Sequence, residues 1–219
     1  AAAFPEKQGE ISMDTITKAL AAFQRSLVSL DSPYDRYRRG DATAIPAKAK
    51  RGEAVFEAKQ CSSCHAGVHF TDAALAGRKP AEAFHVLAPP RPGEALKTDT
   101  GLHRITQKAE DAYRFRTPGL RNIALSAPYM HDGEAATLAD AITHHYAAAD
   151  RQADERLKQT VSDTDVADLV AFMESLTDEG FITNPAFALP PPGCPVPTSV
   201  ELQREEANSA RLHNSPPGP

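Results

Sequence analysis

Residues 61–65 read Cys-Ser-Ser-Cys-His, a C-x-x-C-H motif that is the signature of covalent c-type haem attachment. The spacing has a chemical basis. The two thiols add to the two vinyl groups of one haem, and the histidine that follows is held under the ring to ligate the iron. The motif therefore predicts one covalent haem c on Cys61 and Cys64, with His65 as an iron ligand, and it indicates a redox function.

Charge and hydropathy exclude several other functions. The chain carries 24 basic and 29 acidic residues, and no basic run interleaved with aromatic residues indicates a nucleic-acid partner. Its apolar stretches are too short for a membrane span. The first residues, 1–5, lack the charged and apolar regions of a signal peptide, so we expect a mature product or a fragment. Because covalent haem is attached outside the bacterial cytoplasm, we predict a periplasmic location.

Hydrophobic periodicity predicts helices and no clear strand. An amphipathic helix is expected over 13–30, ended by the sequence at 32–35. Further helices are expected over about 47–58, over about 137–146 and from the capping sequence at Ser162 onward. The stretch 66–110 is expected to be mostly loop, and 117–133 extended or irregular. His69, His85, His103 and His213 lie in no motif and are expected to be ordinary surface or core histidines.

The order of these elements predicts an all-α, cytochrome c-like fold. One helix immediately precedes the haem motif and an amphipathic helix comes last, so the two are expected to cross, with Gly52 permitting close approach and Phe56 packing in the crossing. We predict a linking helix and connection over 1–45, a haem domain over 46–181 and an extended proline-rich tail over 182–219. Cys194, in that tail, is expected to be inert.

Several segments resemble the C-terminal haem domain of the di-haem cytochrome c peroxidase and MauG superfamily. They are 16–41 (ITKALAAFQRSLVSLDSPYDRYRRGD), Arg51-Gly52-Glu53, Phe70-Thr71-Asp72 and 115–133 (FRTPGLRNIALSAPYMHDG). The resemblance implies a second haem, carried by an N-terminal domain or by a second chain. It also places the catalytic residues in that other part, so none is assigned here.

The resemblance also guides the choice of the sixth iron ligand. In the family this ligand falls fourteen residues after the histidine that corresponds to His131, and that count indicates His145. Tyr146 would follow from a slip of one residue, and Met130 is a third alternative.

The same resemblance implies further binding residues. An arginine-bearing loop near the haem edge makes Arg116 or Arg121 the expected partner of a haem propionate. Backbone carbonyls of Ser126 and Pro128 would supply part of a calcium site, which the N-terminal domain would complete.

Three functions follow as expectations. The preferred one is the electron-transfer domain of a MauG-like di-haem oxidoreductase, which uses peroxide and high-valent iron to oxidise a partner protein. The alternatives are a di-haem peroxidase that reduces hydrogen peroxide with a protein electron donor, and a mono-haem electron carrier.

Overall fold

The computed structural model describes residues 4–5, 11–75, 77, 79–87, 99–147, 156 and 158–188. The helices are α1 (Met13–Ser26), α2 (Pro33–Arg38), α3 (Ala47–Ala58), α4 (His103–Thr106), α5 (Leu138–Ala147), α6 (Asp163–Glu174) and α7 (Glu179–Ile182). The remaining elements are short 3₁₀ turns and two short strands, so the all-α, cytochrome c-like prediction is confirmed. Among the described residues, no helix is long and apolar enough to cross a bilayer. Residues 183–219 form a separate unit, in which Cys194 and His213 lie outside the described residues.

Helices α3 and α6 pack closely against each other at Gly52. A Cβ atom on Gly52 would lie 1.9 Å from the carbonyl oxygen of Asp168 and 2.7 Å from Cβ of Phe172. Phe56, one turn further along α3, is 2% exposed and its ring centroid lies 5.1 Å from that of Phe172. Arg51 links the two helices at the edge of this contact: its Nε and Nη2 donate to the two carboxylate oxygens of Asp168 at 2.8 Å each. The crossing predicted from the sequence is thus present.

Helix α1 is shorter than predicted. It begins with a capping box at Ser12 and ends at Ser26, so residues 27–30 lie outside it. The sequence at 32–35, expected to break a helix, begins one. Ser32 caps the backbone N–H of Asp35 and Pro33 occupies the first turn of α2, where the missing N–H of proline costs nothing.

The chain between α1 and α2 is tied to the C-terminal end of α6. Oδ2 of Asp178 accepts hydrogen bonds from Oγ of Ser29 (3.2 Å) and the backbone N–H of Asp31 (2.9 Å). The backbone N–H of Tyr34 donates to the carbonyl of Ser175 at 3.0 Å. The segment before residue 46 therefore shares contacts with the predicted haem domain.

A two-stranded hairpin was not predicted. Strand β1 (Phe84–Val86) pairs antiparallel with β2 (Arg114–Arg116), with His85 opposite Phe115. Each strand has only three residues, too few for a period-two pattern to be recognised. The hairpin brings the predicted loop region over one wall of the cavity described next.

Candidate haem-binding site

The C-x-x-C-H motif follows directly on α3. Gln60 adopts a left-handed conformation (φ 60°) and turns the chain out of the helix, and Cys61–Ser63 then form a 3₁₀ turn. The backbone N–H groups of Cys64 and His65 both donate to the carbonyl of Cys61, at 3.2 and 2.9 Å. Both thiols are free, and both line a cavity of about 460 Å³ with a largely apolar wall.

Nε2 of His65 has no hydrogen-bond partner among the described residues, whereas Nδ1 has two. Its Nδ1 lies 3.1 Å from the carbonyl oxygens of both Phe70 and Pro118. A carbonyl only accepts, so Nδ1 carries the proton. Burial, reinforced by the nearby His145, lowers the pKa of His65 to about 4, which keeps the ring neutral. Nε2 therefore retains the lone pair that a metal ion requires.

His145, on α5, is arranged in the same way. Its Nδ1 donates to the carbonyl of Ala141 at 2.8 Å, and burial, followed by the charge of His144, lowers its pKa. Both His65 and His145 line the same cavity as the two thiols. Two neutral imidazoles with free Nε2 atoms and two cysteines in one apolar cavity match the donor set of a covalent haem.

Tyr146 uses its hydroxyl elsewhere. The hydroxyl donates to the carbonyl of Lys59 at 3.2 Å and lies 3.3 Å from Sγ of Cys61. Burial, followed by the charge of Cys61, raises its pKa, which disfavours the phenolate that would be needed for ligation. Tyr146 instead ties α5 to the end of α3, one residue beyond His145.

Met130 is the other alternative ligand. It lines the cavity and has a left-handed backbone (φ 71°). Its side chain packs against a cluster of buried residues of which Tyr129 and Leu138 are members. Met130 is thus part of the wall of the same cavity, and its role as an alternative ligand stays a prediction.

The two arginines that were candidates for binding a propionate occupy different environments. Arg116 lines the cavity from β2. Arg121 forms a bidentate ion pair with Asp35 at 2.7 and 2.8 Å, and its Nε donates to the carbonyl of Val68 at 2.7 Å. Its side chain is 9% exposed and is not part of the cavity wall. The expectation of a propionate partner therefore stays with Arg116, and Arg121 holds α2 to the loop after the haem motif.

Ser126 and Pro128 both line the cavity. The hydroxyl of Ser126 donates to the carbonyl of Ile123 at 3.0 Å. The predicted calcium ligands are the backbone carbonyls of this segment, and their role stays a prediction.

Sequence reasoning missed His85 and Arg156, which also line the cavity. Nε2 of His85 lies 2.7 Å from Oδ2 of the fully buried Asp72, and Nη2 of Arg156 lies 3.3 Å from its Nδ1. Nη1 of Arg156 donates to Oγ of Ser63 inside the haem motif at 3.2 Å. No spacing rule links these positions, because loops and the unpredicted hairpin bring them together.

Fold and site together define a c-type cytochrome domain. The family model for cytochrome c matches residues 49–177, and the model for di-haem cytochrome c peroxidase matches residues 1–43. The chain belongs to the family of di-haem cytochrome c peroxidases and MauG proteins.

Two relatives of this chain are members of the same family. The chain is 35% identical to cytochrome c peroxidase Ccp of Escherichia coli, covering 75% of this chain and 33% of the relative. It is 36% identical to the methylamine utilization protein MauG of Methylorubrum extorquens, covering 75% of this chain and 44% of the relative. The chain thus spans less than half the length of either relative.

A solved structure shows the same fold. A MauG-like protein associated with microbial copper homeostasis is 36% identical, with a TM-score of 0.75 over 86% of this chain and 60% of that one.

Proposed function

We propose that this chain is the haem c electron-transfer part of a periplasmic di-haem oxidoreductase of the MauG type, which uses peroxide to oxidise a partner protein. The observation that carries the proposal is the pair of bare Nε2 atoms, on His65 and His145, in one cavity with two thiols. A haem held there would supply one-electron redox chemistry.

The residues of this chain would bind, orient and shield the haem. Cys61 and Cys64 would anchor it, and His65 and His145 would ligate the iron. With two protein ligands the iron would have no position left for peroxide, so this part of the protein would relay electrons while peroxide reacts in the other haem domain. Arg116 would neutralise a propionate at the cavity wall.

A second haem domain, on the same polypeptide or on a partner chain, completes the proposal. Two observations support it: the family model for di-haem peroxidases matches residues 1–43, and α1 exposes an apolar face at Ile16, Leu20 and Phe23. The carbonyls of Ser126 and Pro128 would form half of a calcium site that the second domain completes. Elemental analysis should therefore find calcium in the two-haem protein and none in residues 1–219 alone.

Reduction of hydrogen peroxide is the second candidate. It is supported by the identity to the Escherichia coli peroxidase, which is nearly the same as that to MauG. The segment 99–133 and the residues 176–181 resemble the MauG proteins more closely than the peroxidases.

A mono-haem carrier is the third candidate, but a carrier does not need the linking helix or the long insertion after the haem motif.

Haem count and product analysis separate these functions. The intact gene product should carry two haems by mass spectrometry, and a single haem would favour the carrier. Peroxide turnover that depends on a small redox protein as donor would favour the peroxidase. Peroxide-dependent covalent oxidation of a partner protein would favour the MauG-type activity. Residues 1–219 loaded with haem should show slow bleaching and little turnover with peroxide.

A further inference from the structure

Tyr34 combines a half-buried ring with a base for its proton. Its hydroxyl donates to Oε1 of Glu53 at 2.9 Å, and Nη1 of Arg38 donates to the same oxygen at 2.9 Å. Burial and then the hydrogen bond to Glu53 raise the pKa of Tyr34 to about 12. The phenol therefore stays protonated, and it can be oxidised at moderate cost only if its proton moves at the same time.

Phe70 connects this tyrosine with the haem site. Its ring centroid lies 5.6 Å from that of Tyr34 in an edge contact, and its carbonyl accepts the Nδ1 hydrogen of His65 at 3.1 Å. The left-handed backbone of Phe70 (φ 52°) is costly for a bulky residue. In this conformation a single residue contacts both the histidine and the tyrosine.

On this route from His65 through Phe70 to Tyr34, the tyrosine is the side chain that can be oxidised to a neutral radical. A phenyl ring has no acidic proton whose loss would ease oxidation, so Phe70 can serve only as a contact. Tyr146 is close to the haem motif, but its hydroxyl donates to the backbone carbonyl of Lys59, and a carbonyl is not a base at working pH. Glu53, whose side chain is 20% exposed, can take a proton and exchange it with water.

We propose that Tyr34 is a redox-active residue that relays electrons between the His65 side of the haem and the surface of α2 and α3. One electron leaves the phenol for the haem protein oxidised by peroxide, and the phenolic proton moves to Oε1 of Glu53, which leaves a neutral tyrosyl radical. A one-electron donor protein at the surface then returns the electron, and Glu53 returns the proton. The inference rests on the proposed function, because peroxide chemistry supplies the oxidant.

Tyr37 provides a matched control on the same helix. Its ring is also half-buried and also lies near a cation, since Nζ of Lys50 is 5.2 Å from its centroid and Cζ of Arg38 is 6.0 Å from that of Tyr34. Among the described residues, no carboxylate accepts a hydrogen bond from the hydroxyl of Tyr37, whereas Glu53 accepts one from Tyr34. Tyr34→Phe keeps the ring and its edge contacts and removes only the hydroxyl. Glu53→Gln keeps a hydrogen-bond acceptor and removes the base.

The experiment uses the intact, haem-loaded protein, hydrogen peroxide and rapid freezing, with electron paramagnetic resonance as the readout. Ring-deuterated tyrosine identifies the radical. We expect a tyrosyl signal in the wild type and in Tyr37→Phe, loss of that signal in Tyr34→Phe, and a strongly reduced signal in Glu53→Gln. Unchanged haem absorption spectra establish that the variants fold.

A tyrosyl signal of wild-type size in Tyr34→Phe would overturn the inference, and so would a wild type that consumes peroxide without forming any tyrosyl radical. In both cases continued peroxide consumption leaves the proposed function standing. A two-haem protein that does not react with peroxide at all would overturn the proposed function and the inference together.

Discussion

His65 and His145 each donate Nδ1–H to a backbone carbonyl, and the bond has the same two effects on both rings. It fixes the neutral tautomer with the lone pair on Nε2, and it fixes the orientation of the ring. Backbone carbonyls do this without adding a charge to an apolar cavity. The hydrogen bonds thus hold both imidazoles neutral, with the lone pair of Nε2 available to a ligand.

Replacing His145 by alanine should change the spin state of the iron. With one imidazole lost, the haem becomes five-coordinate or binds water, and the low-spin absorption spectrum becomes high-spin. His144→Ala is the control, because Nε2 of His144 lies 3.0 Å from Oε1 of Glu134 and its loss should leave the spectrum unchanged. An unchanged absorption spectrum in His145→Ala, together with a changed spectrum in Tyr146→Phe, would contradict the assignment of His145 as the ligand.

The ion pair between Arg121 and Asp35 should make stability depend on pH. Burial alone would raise the pKa of Asp35, but hydrogen bonds from Arg121 and Ser32 outweigh it, and the net shift is downward. The carboxylate therefore stabilises the fold above its unfolded pKa of about 3.9, and this contribution is lost as pH falls through the lower folded value. Asp35→Asn should cost about 3 kcal/mol at pH 7, because a buried charge loses its partner.

Urea unfolding at neutral and at acidic pH tests this. The difference between the wild type and Asp35→Asn should shrink as pH is lowered below about 4. Asp163→Asn, at the exposed start of α6, serves as the control and should show a much smaller effect at neutral pH. A constant difference across this range would contradict the role assigned to the pair.

How much of the site the sequence predicts depends on how local the information is. Cys61, Cys64 and His65 follow from a five-residue motif, and His145 follows from a count along a similar segment. Arg121 was one of the two arginines of which one was expected to bind a haem propionate, because arginine suits carboxylates, and it does bind a carboxylate, that of Asp35. Residue chemistry predicted the bond but could not predict the partner, which is 86 positions away in the chain.

At the scale of elements, the contact between α3 and α6 decides where the haem motif lies. The motif begins three residues after the last residue of α3, so the position of that helix sets the positions of both cysteines. Helix α6 supplies Leu169 and Met173 to the wall of the same cavity. A change in the packing of α3 against α6 would therefore shift the cysteines and the cavity wall.

Gly52→Ala should destabilise the protein, although alanine is the better helix former. The gain in helix propensity is about 1 kcal/mol. The added Cβ would lie 1.9 Å from a backbone oxygen of α6, and a backbone cannot rotate away as a side chain can. We expect a net loss of about 3 kcal/mol, measured by chemical unfolding, with exposed Ala54→Ser as the control. An unchanged or raised stability would show that the helices can separate at no cost.

The elements that were predicted correctly are the ones with strong local signals. Helix α3 has the predicted bounds, and α6 begins after the predicted cap at Ser162. Helix α2 was missed because Ser-Pro indicates either a break or a helix start, and only packing against Ser175 decides between them. The hairpin of β1 and β2 was missed because its strands pair across a long sequence separation.

At the scale of the whole molecule, α1 has an apolar face that the described residues leave largely exposed. Leu20 and Phe23 are 55% and 49% exposed, although the helix has a well-formed capping box and an apolar face. Contiguous apolar surface of this kind is uncommon on monomers and marks contact surfaces. Single apolar side chains are exposed elsewhere among the described residues, at Val68, Ile105 and Leu125, whereas those of α1 share one helical face.

Leu20→Glu should reduce self-association of residues 1–219 loaded with haem. A carboxylate in the centre of the face makes its burial unfavourable, while the cavity is untouched and the haem spectrum should not change. Light scattering coupled to size exclusion measures the mass, and Lys18→Glu, a charge change on the same helix, is the control. A wild type that is already a monodisperse monomer would argue against a missing contact partner.

The two histidines that face one cavity also have a consequence for chain entropy. If both bound the same iron, the stretch 66–144 would become a closed loop, and this stretch contains most of the irregular backbone described above. Closing a loop of this length removes about 4 kcal/mol of conformational freedom from the unfolded chain in the polymer picture used for disulfides. The iron would then act as a reversible cross-link across a stretch whose described residues lie mostly outside the helices and strands.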